Sequence, residues 1–436
     1  MQVDTQINAA WIIPVVPEKT AWQDMSILVK DGRIVDILPI NDANQKYSAS
    51  TTHDCTNHIL IPGLINAHTH AAMNLLRGFA DDLPLMNWLQ EHIWPAEQQW
   101  VSNEFVHDGV LLACAEMIRG GVTCFADMYF FPESTARAAE QSGMRATIGL
   151  ISIDFPSAYA NDANDYLQKG LKLHDQLRGH HLIKTMFAPH GPYTCSDEAL
   201  TKIATFAEEL DIPIHIHLHE TDDELQHSTE HHQLRPIARL EKLGLLTPRL
   251  IGVHMTHLND DDMQSFADSG AHIVHCPESN LKLASGFCPI QKLEDAGINI
   301  ALGTDGVASN NNLDMFGEMQ TAALLAKGVA QDASAGSASS ILSMATINGA
   351  KSLGLDEDIG SIEKGKMADL TALEVNNIES MPLYNPISHV VYSANREQVS
   401  DVWVAGKQIL REHNLLTLDI NELAELANQW QTKIQA

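Results

Sequence analysis

Two histidines, His68 and His70, close the apolar run Ile61-Pro-Gly-Leu-Ile-Asn-Ala-His-Thr-His70. In a strand, side chains at i and i+2 share a face, so both imidazoles aim at one point, which suits a metal ion. The pair alone carries little weight, because the chain holds 22 histidines. Further polar residues follow apolar runs downstream: Ala188-Pro-His190, Ile212-Pro-Ile-His-Ile-His-Leu-His-Glu220, Leu250-Ile-Gly-Val-His254 and Ile298-Asn-Ile-Ala-Leu-Gly-Thr-Asp305. A buried histidine needs a partner for each ring nitrogen, and an unpaired buried carboxylate is costly. Metal coordination satisfies both. Two histidines from one strand, one from another and an aspartate make an N3O site with a position left for water, as in catalytic zinc. His215, His217 and His219 share one strand face, so spacing leaves the choice among them open. His92, His107, His231, His232 and His413 read as surface or satisfied residues, and His257 and His275 as structural ones.

The elements that must position these groups are apolar strands alternating with helical stretches, which implies a parallel sheet. Eight strands are predicted at 59–67, 121–127, 145–151, 182–188, 212–218, 250–254, 272–275 and 298–303. Asp197–Leu210 has apolar residues at helical spacing, with Ser196 as N-cap. Eight strand–helix units over some 300 residues predict an α/β fold, a (β/α)8 TIM barrel with its site at the C-terminal strand ends. A doubly wound sheet is the runner-up, but no G-x-G-x-x-G follows any strand. Hairpin signals flank the barrel, at Asp31-Gly32 and at Ala405-Gly406. A small β-sandwich domain built from both chain ends follows: residues 1–60 as its N-terminal part, 61–360 as the barrel, and 361–436 as its C-terminal part with a helical tail over 421–434. The Ala/Ser/Gly-rich stretch 332–340 reads as a loop.

The 436 residues carry a formal net charge of -29. That argues against nucleic acid or an anionic membrane as partner, since phosphate binding needs a basic surface. Hydrophobic content of 44% allows a sizeable core. The six cysteines are scattered without Cys-x-x-Cys spacing, so they read as buried thiols in a reducing compartment. With no signal-peptide pattern and no apolar run of about 18 residues, the expectation is a cytoplasmic enzyme acting on a small molecule.

Pro-Gly-Leu-Ile-Asn-Ala-His-Thr-His70, His-Leu-His-Glu220, Gly-Thr-Asp305-Gly-Val-Ala-Ser-Asn-Asn and Gly360-Ser-Ile-Glu-Lys-Gly-Lys-Met-Ala-Asp-Leu370 resemble the amidohydrolase superfamily. Within it they are most similar to the 5-methylthioadenosine/S-adenosylhomocysteine deaminases and their triazine-hydrolase relatives. The resemblance implies His68, His70, His217 and Asp305 as ligands of one divalent metal ion, zinc. The family's catalytic glutamate stands three residues after the strand-five ligand, which implies Glu220 and selects His217 over His219. His254 would be the strand-six catalytic histidine. Trp88, Glu97, His190, Glu220 and Ser309 would contact the substrate, while the subgroup's tail-holding arginines have no counterpart between Pro156 and Asp175. Lys184 sits at the start of strand four and His190 at its end, so the dinuclear branch's carbamylated lysine is not matched. The implied reaction is hydrolytic deamination of an adenine nucleoside, 5′-methylthioadenosine or S-adenosylhomocysteine or both, by a homo-oligomer (dimer or tetramer). Asp305 and His254 would take protons from water and Glu220 would donate one to the ring nitrogen beside C6. The alternatives are hydrolysis of another aminated or chlorinated heterocycle, such as a triazine, guanine or cytosine, or an inactive metal-binding scaffold.

Overall fold

Gly63 is the point where the chain leaves one sheet and enters another. In the computed structural model, which describes residues 1–83 and 85–435, β1 (Gln2–Ile12), β2 (Trp22–Lys30), β3 (Arg33–Pro39) and β4 (Ser48–Pro62) precede it. The β2–β3 hairpin forms at Asp31-Gly32 as expected, with Lys30 opposite Arg33. Gly32 adopts φ +76°, a conformation that a residue with a Cβ rarely takes. The run expected as a single strand at 59–67 is divided. Ile59–Pro62 end β4 and pair with β1 and, later, β13, whereas the first barrel strand β5 is Leu64–Thr69. Hydrophobicity is continuous across the junction, because both strands are buried there, so periodicity has no break to register.

The barrel strands are β5, β6 (Val122–Asp127), β7 (Arg145–Ser152), β8 (Ile183–Pro189), β9 (Ile214–Leu218), β10 (Leu250–His254), β11 (His272–His275) and β12 (Asn299–Leu302), parallel and neighbours in sequence order. Every residue of β6, β7 and β9 is buried. Covered by helices outside and side chains inside, such strands read as unbroken apolar runs. The seam between β12 and β5 is bridged by the Asp305 N–H donating to the His68 carbonyl at 3.1 Å. Asn66 reinforces it, giving Nδ2–H to Thr304 Oγ1 at 2.8 Å and accepting the Thr304 N–H at 3.0 Å. Gly303 lies at this seam, where an added Cβ would come within 2.7 Å of the His68 nitrogen. The interior below the site is filled by Ile65, Ala67, Met186, Val253, Val274 and their neighbours, packed on Leu353 and Ile359.

β13 (Leu370–Glu374), β14 (Val399–Val404), β15 (Lys407–Arg411) and β16 (Asn414–Leu415) return to the first sheet, giving the order β16-β15-β14-β13-β4-β1-β2-β3. The β14–β15 hairpin turns at Ala405-Gly406 as expected. Trp403, Ile7, Ile27 and Leu60 pack into its core. This sheet is fastened to the barrel by a buried ion pair: Arg145 at the start of β7 reaches Asp369 through Nε at 2.9 Å and Nη2 at 3.1 Å. The helix Asp197–Leu210 is capped by Ser196, and the terminal helix is Ile420–Gln435. The stretch read as a loop at 332–340 already turns helical at Ala338, because Ser337 caps the helix Ala338–Met344. Among the described residues no helix is long and apolar enough to cross a membrane.

Candidate active site

His68, His70, His217 and Asp305 converge at the C-terminal mouth of the barrel, each offering one ligand atom, all within 4.8 Å of one another. The backbone arranges this: Asp305 takes φ +62° just beyond β12, turning its carboxylate back over the mouth. Such left-handed geometry in a non-glycine residue costs on the order of 1–3 kcal/mol and collects at functional sites. Asp305 Oδ1 lies 3.3 Å from the Nε2 atoms of both His68 and His70. Its Oδ2 accepts from Ser279 Oγ at 2.6 Å and Ser309 Oγ at 2.9 Å. Asp127, at the end of β6, holds the turn after β5 by accepting the Ala71 N–H at 2.7 Å.

The hydrogen bonds behind the rings test whether a cation fits. His70 Nδ1 and His217 Nδ1 each lie 2.6 Å from a backbone carbonyl, of Met128 and His190. A carbonyl only accepts, so each Nδ1 carries the proton. In the neutral rings both Nε2 atoms then bear lone pairs, and they face one another at 3.3 Å. Burial and the neighbouring histidines hold His217 neutral, well below the ordinary imidazole range. Burial also disfavours a charged His70, but the Asp305 carboxylate outweighs it and raises that ring to about 9. His68 Nε2 has no hydrogen-bond partner among the described residues. Three converging ring nitrogens, one of them holding a proton only because the Asp305 carboxylate stands beside it, and that buried carboxylate are what a divalent ion resolves, and three imidazoles with one carboxylate fit zinc.

The histidines of β9 part company in space. His217 joins the cluster, while His215 lies one layer deeper, its Nε2 2.8 Å from His68 Nδ1. His219, just past the strand, takes φ +53° and swings away, bonding the His257 carbonyl at 2.9 Å and the Ile237 N–H at 3.2 Å. His257 is outside the cluster, donating to the Ser285 carbonyl at 2.6 Å. His275 is buried at the end of β11. Lys184 is exposed near the N-terminal end of β8.

Glu220 and His254 flank the cluster. Glu220 Oε2 lies 3.8 Å from His254 Nε2, and Ser285 Oγ donates to Glu220 Oε1 at 3.3 Å. Burial raises the Glu220 pKa, outweighing the stabilisation its anion draws from His254. Its backbone is fixed by Glu224, whose carboxylate accepts the N–H groups of His219 at 3.0 Å and Glu220 at 2.8 Å. His254, at φ +75°, has Nδ1 2.8 Å from Asn280 Oδ1.

A cavity of about 570 Å³ opens from the cluster and is lined by Trp88, Glu97, His190, Glu220, His254 and Ser309 among others. Trp88 and Glu97 are nine residues apart, which on an uninterrupted α-helix would set them roughly half a turn apart. A π-helical turn at Leu89–Ile93 intervenes. Its wider winding reduces the offset to roughly a quarter turn, so both can face one cavity. Glu97 Oε1 accepts from the Tyr129 hydroxyl at 2.7 Å; burial raises its pKa to about 7 despite that bond. His190 is held neutral by burial, its pKa lowered to about 3. Since Thr194 Oγ1 gives its proton to the Gly191 carbonyl at 3.1 Å, it accepts from His190 Nδ1 at 3.2 Å, leaving Nε2 as an acceptor.

Sequence reasoning missed Ser279, Asn280 and Tyr129. Ser279 and Asn280 lie in the short helix Pro277–Lys282 that comes after β11, in Cys276-Pro277-Glu278-Ser279-Asn280. The rule applied to the other strands, that polar residues at a strand end face the site, would have found them. Tyr129 follows β6 in the same way.

A model of the amidohydrolase family matches residues 59–409. The chain is 50% identical over 434 residues to a 5-methylthioadenosine/S-adenosylhomocysteine deaminase of Teredinibacter turnerae, covering 100% of this chain and 98% of that protein. It is 42% identical over 404 residues to a 5′-deoxyadenosine deaminase of Methanothermobacter thermautotrophicus, covering 92% and 93%. A crystal structure of an adenosine deaminase from Xanthomonas campestris with bound zinc matches with a TM-score of 0.99 at 47% identity, covering 100% of this chain and 99% of that one.

Proposed function

The chain belongs to the amidohydrolase family, and from that premise we propose that it is a zinc-dependent deaminase of adenine nucleosides, hydrolysing 5′-methylthioadenosine and its kin to the inosine analogue and ammonia. The observation that carries the reading is the meeting, in one cavity, of a four-ligand cluster with a buried carboxyl that is biased towards its protonated form. His68, His70, His217 and Asp305 hold one ion. Bound there, it supplies Lewis acidity, lowering the pKa of a water from about 15.7 towards about 7.

The remaining work falls to the chain's own side chains. His254 receives a proton at Nε2 from the water that attacks C6, because its Nδ1–H is committed to Asn280. Asp305 shares that task through its carboxylate, which Ser279 and Ser309 orient. Glu220, whose pKa burial raises, delivers its proton to the ring nitrogen beside C6; the proton taken from the water passes to the exocyclic amine, which departs as ammonia as C6 becomes a carbonyl and the remaining hydroxyl proton returns to Glu220. A proton donor near neutral pH needs such a raised pKa. His190 accepts a hydrogen bond from the base through Nε2, Glu97 accepts ribose hydroxyls, and Trp88 covers the sugar with an apolar wall.

The test is to incubate the purified, zinc-loaded protein with 5′-methylthioadenosine and follow the ultraviolet change together with ammonia. One ammonia per inosine analogue is expected. Release of ammonia from guanine but from no adenine nucleoside would overturn the reading.

A further inference from the structure

Two loops converge on Glu220 without reaching the cavity. Thr256, just past β10, donates its hydroxyl to the Glu220 carbonyl at 2.7 Å. His257, the next residue, holds its Nε2 2.6 Å from the carbonyl of Ser285. Ser285 in turn donates Oγ–H to Glu220 Oε1 at 3.3 Å and its backbone N–H to the Asn280 carbonyl at 2.9 Å. The His257 backbone is fixed as well, its carbonyl accepting from His219 Nδ1 and Arg235 Nη2, each at 2.9 Å. Gly286 permits the close approach of the two loops: it takes φ +141°, and an added Cβ would lie 3.1 Å from His257 Nε2.

A carbonyl only accepts, so His257 Nε2 carries a proton whether the ring is neutral or cationic. On the far side of the ring, Nδ1 lies 3.1 Å from Asp222 Oδ1, but that side chain is 75% exposed, and an ion pair so open to water contributes little. The contact that defines the ring is therefore the one to Ser285. Ser285 decides something at Glu220: with Oε1 accepting its hydroxyl, the acid proton belongs on Oε2, the oxygen that faces His254 Nε2 at 3.8 Å. We propose that His257 is a positioning residue for the deamination, holding Ser285 so that its hydroxyl turns the proton-bearing oxygen of Glu220 towards the substrate. The inference rests on the reading of Glu220 as proton donor. Neither His257 nor Ser285 is among the described residues that line the cavity, so both act through Glu220 and not on the nucleoside.

The experiment measures kcat, KM for 5′-methylthioadenosine and bound zinc in the full-length, zinc-loaded protein and in His257→Leu, His257→Gln, Ser285→Ala and the His257→Leu/Ser285→Ala double variant. The Gln amide can donate to the Ser285 carbonyl in place of the ring, whereas Leu cannot. His257→Leu and Ser285→Ala should each lower kcat by about 10- to 100-fold, with KM within about twofold and zinc unchanged, as a misplaced acid would. His257→Gln should return kcat to within about fivefold of the parent. The double variant should be about as slow as the slower single one, because the ring acts through the hydroxyl and the two losses are not additive. Parental kcat in His257→Leu, equal losses in the Leu and Gln variants, or losses that multiply in the double variant would each overturn the inference while leaving the deaminase reading intact. Should His257→Leu not fold, the test passes to the other single variants, and a folded His257→Gln as slow as Ser285→Ala overturns it. A parent protein that releases no ammonia from the nucleoside removes the deaminase reading, and this role with it.

Discussion

Asn280 Oδ1 accepts the Nδ1 proton of His254 at 2.8 Å, while Nε2 of the same ring faces Glu220 at 3.8 Å. The amide therefore decides which nitrogen of His254 carries the lone pair towards the cavity. Asn280→Leu removes the acceptor at similar volume. Its kcat is expected to fall by about 10- to 100-fold with bound metal unchanged, whereas Asn280→Asp, which keeps an acceptor, retains most of it. Parallel kcat and metal analysis of the two variants checks this, and equal loss in both would argue against an orienting role.

The cluster and the proton donor separate by mutation. Glu220→Gln keeps the shape of the side chain but cannot deliver a proton, so zinc stays and kcat drops by about 10²- to 10⁴-fold. His217→Ala leaves two imidazoles and a carboxylate and should lose metal and turnover together. Full activity in Glu220→Gln would sink the donor assignment.

Glu97 and Glu220 give opposite pH signatures. Burial raises Glu97 to about 7, and only its ionised form accepts two hydroxyls, so KM for a nucleoside should rise as pH falls through about 7. Glu220 works protonated, so kcat should fall as pH rises through its raised pKa. Tyr129 donates to Glu97 and lowers its pKa. Tyr129→Phe therefore moves the KM transition to higher pH, which a pair of pH profiles reads directly. A downward shift would contradict the hydrogen-bond argument.

The ion pair that fastens the outer sheet predicts a stability effect with no catalytic component. Arg145 and Asp369 are nearly fully buried, with side chains 5% and 2% exposed. Asp369→Ala leaves an uncompensated guanidinium and should cost about 3–5 kcal/mol in urea unfolding. The kcat of the fraction that remains folded should match the parent's.

Removing zinc should act on both stability and activity. On the proposed reading the native state binds the ion and the unfolded chain binds it less, so stripping it should lower the unfolding temperature by an amount that depends on free zinc. Thermal scans at several zinc concentrations check this, and a concentration-independent melting temperature would speak against a bound ion.

Much of this was legible in one dimension. The eight barrel strands are apolar runs because parallel strands are buried on both faces, and the two hairpins announce themselves by Asp31-Gly32 and Ala405-Gly406. His68, His70, His254 and Asp305 declare themselves as polar residues at or just past the ends of apolar runs, where burial without a partner would be costly.

What the sequence could not determine depends on backbone direction and on contacts between strands. His215, His217 and His219 have the same periodicity. Only the depth of His215 behind His68 and the left-handed turn at His219 leave His217 in the cluster. Trp88 and Glu97 reach one cavity because a π turn rewinds the segment between them. Asn280 meets His254 across 26 residues, a pairing set by β10 and β11 lying side by side in register. Periodicity is a property of one strand. A site at a barrel mouth is a property of eight, and the closure of the barrel decides which side chains meet.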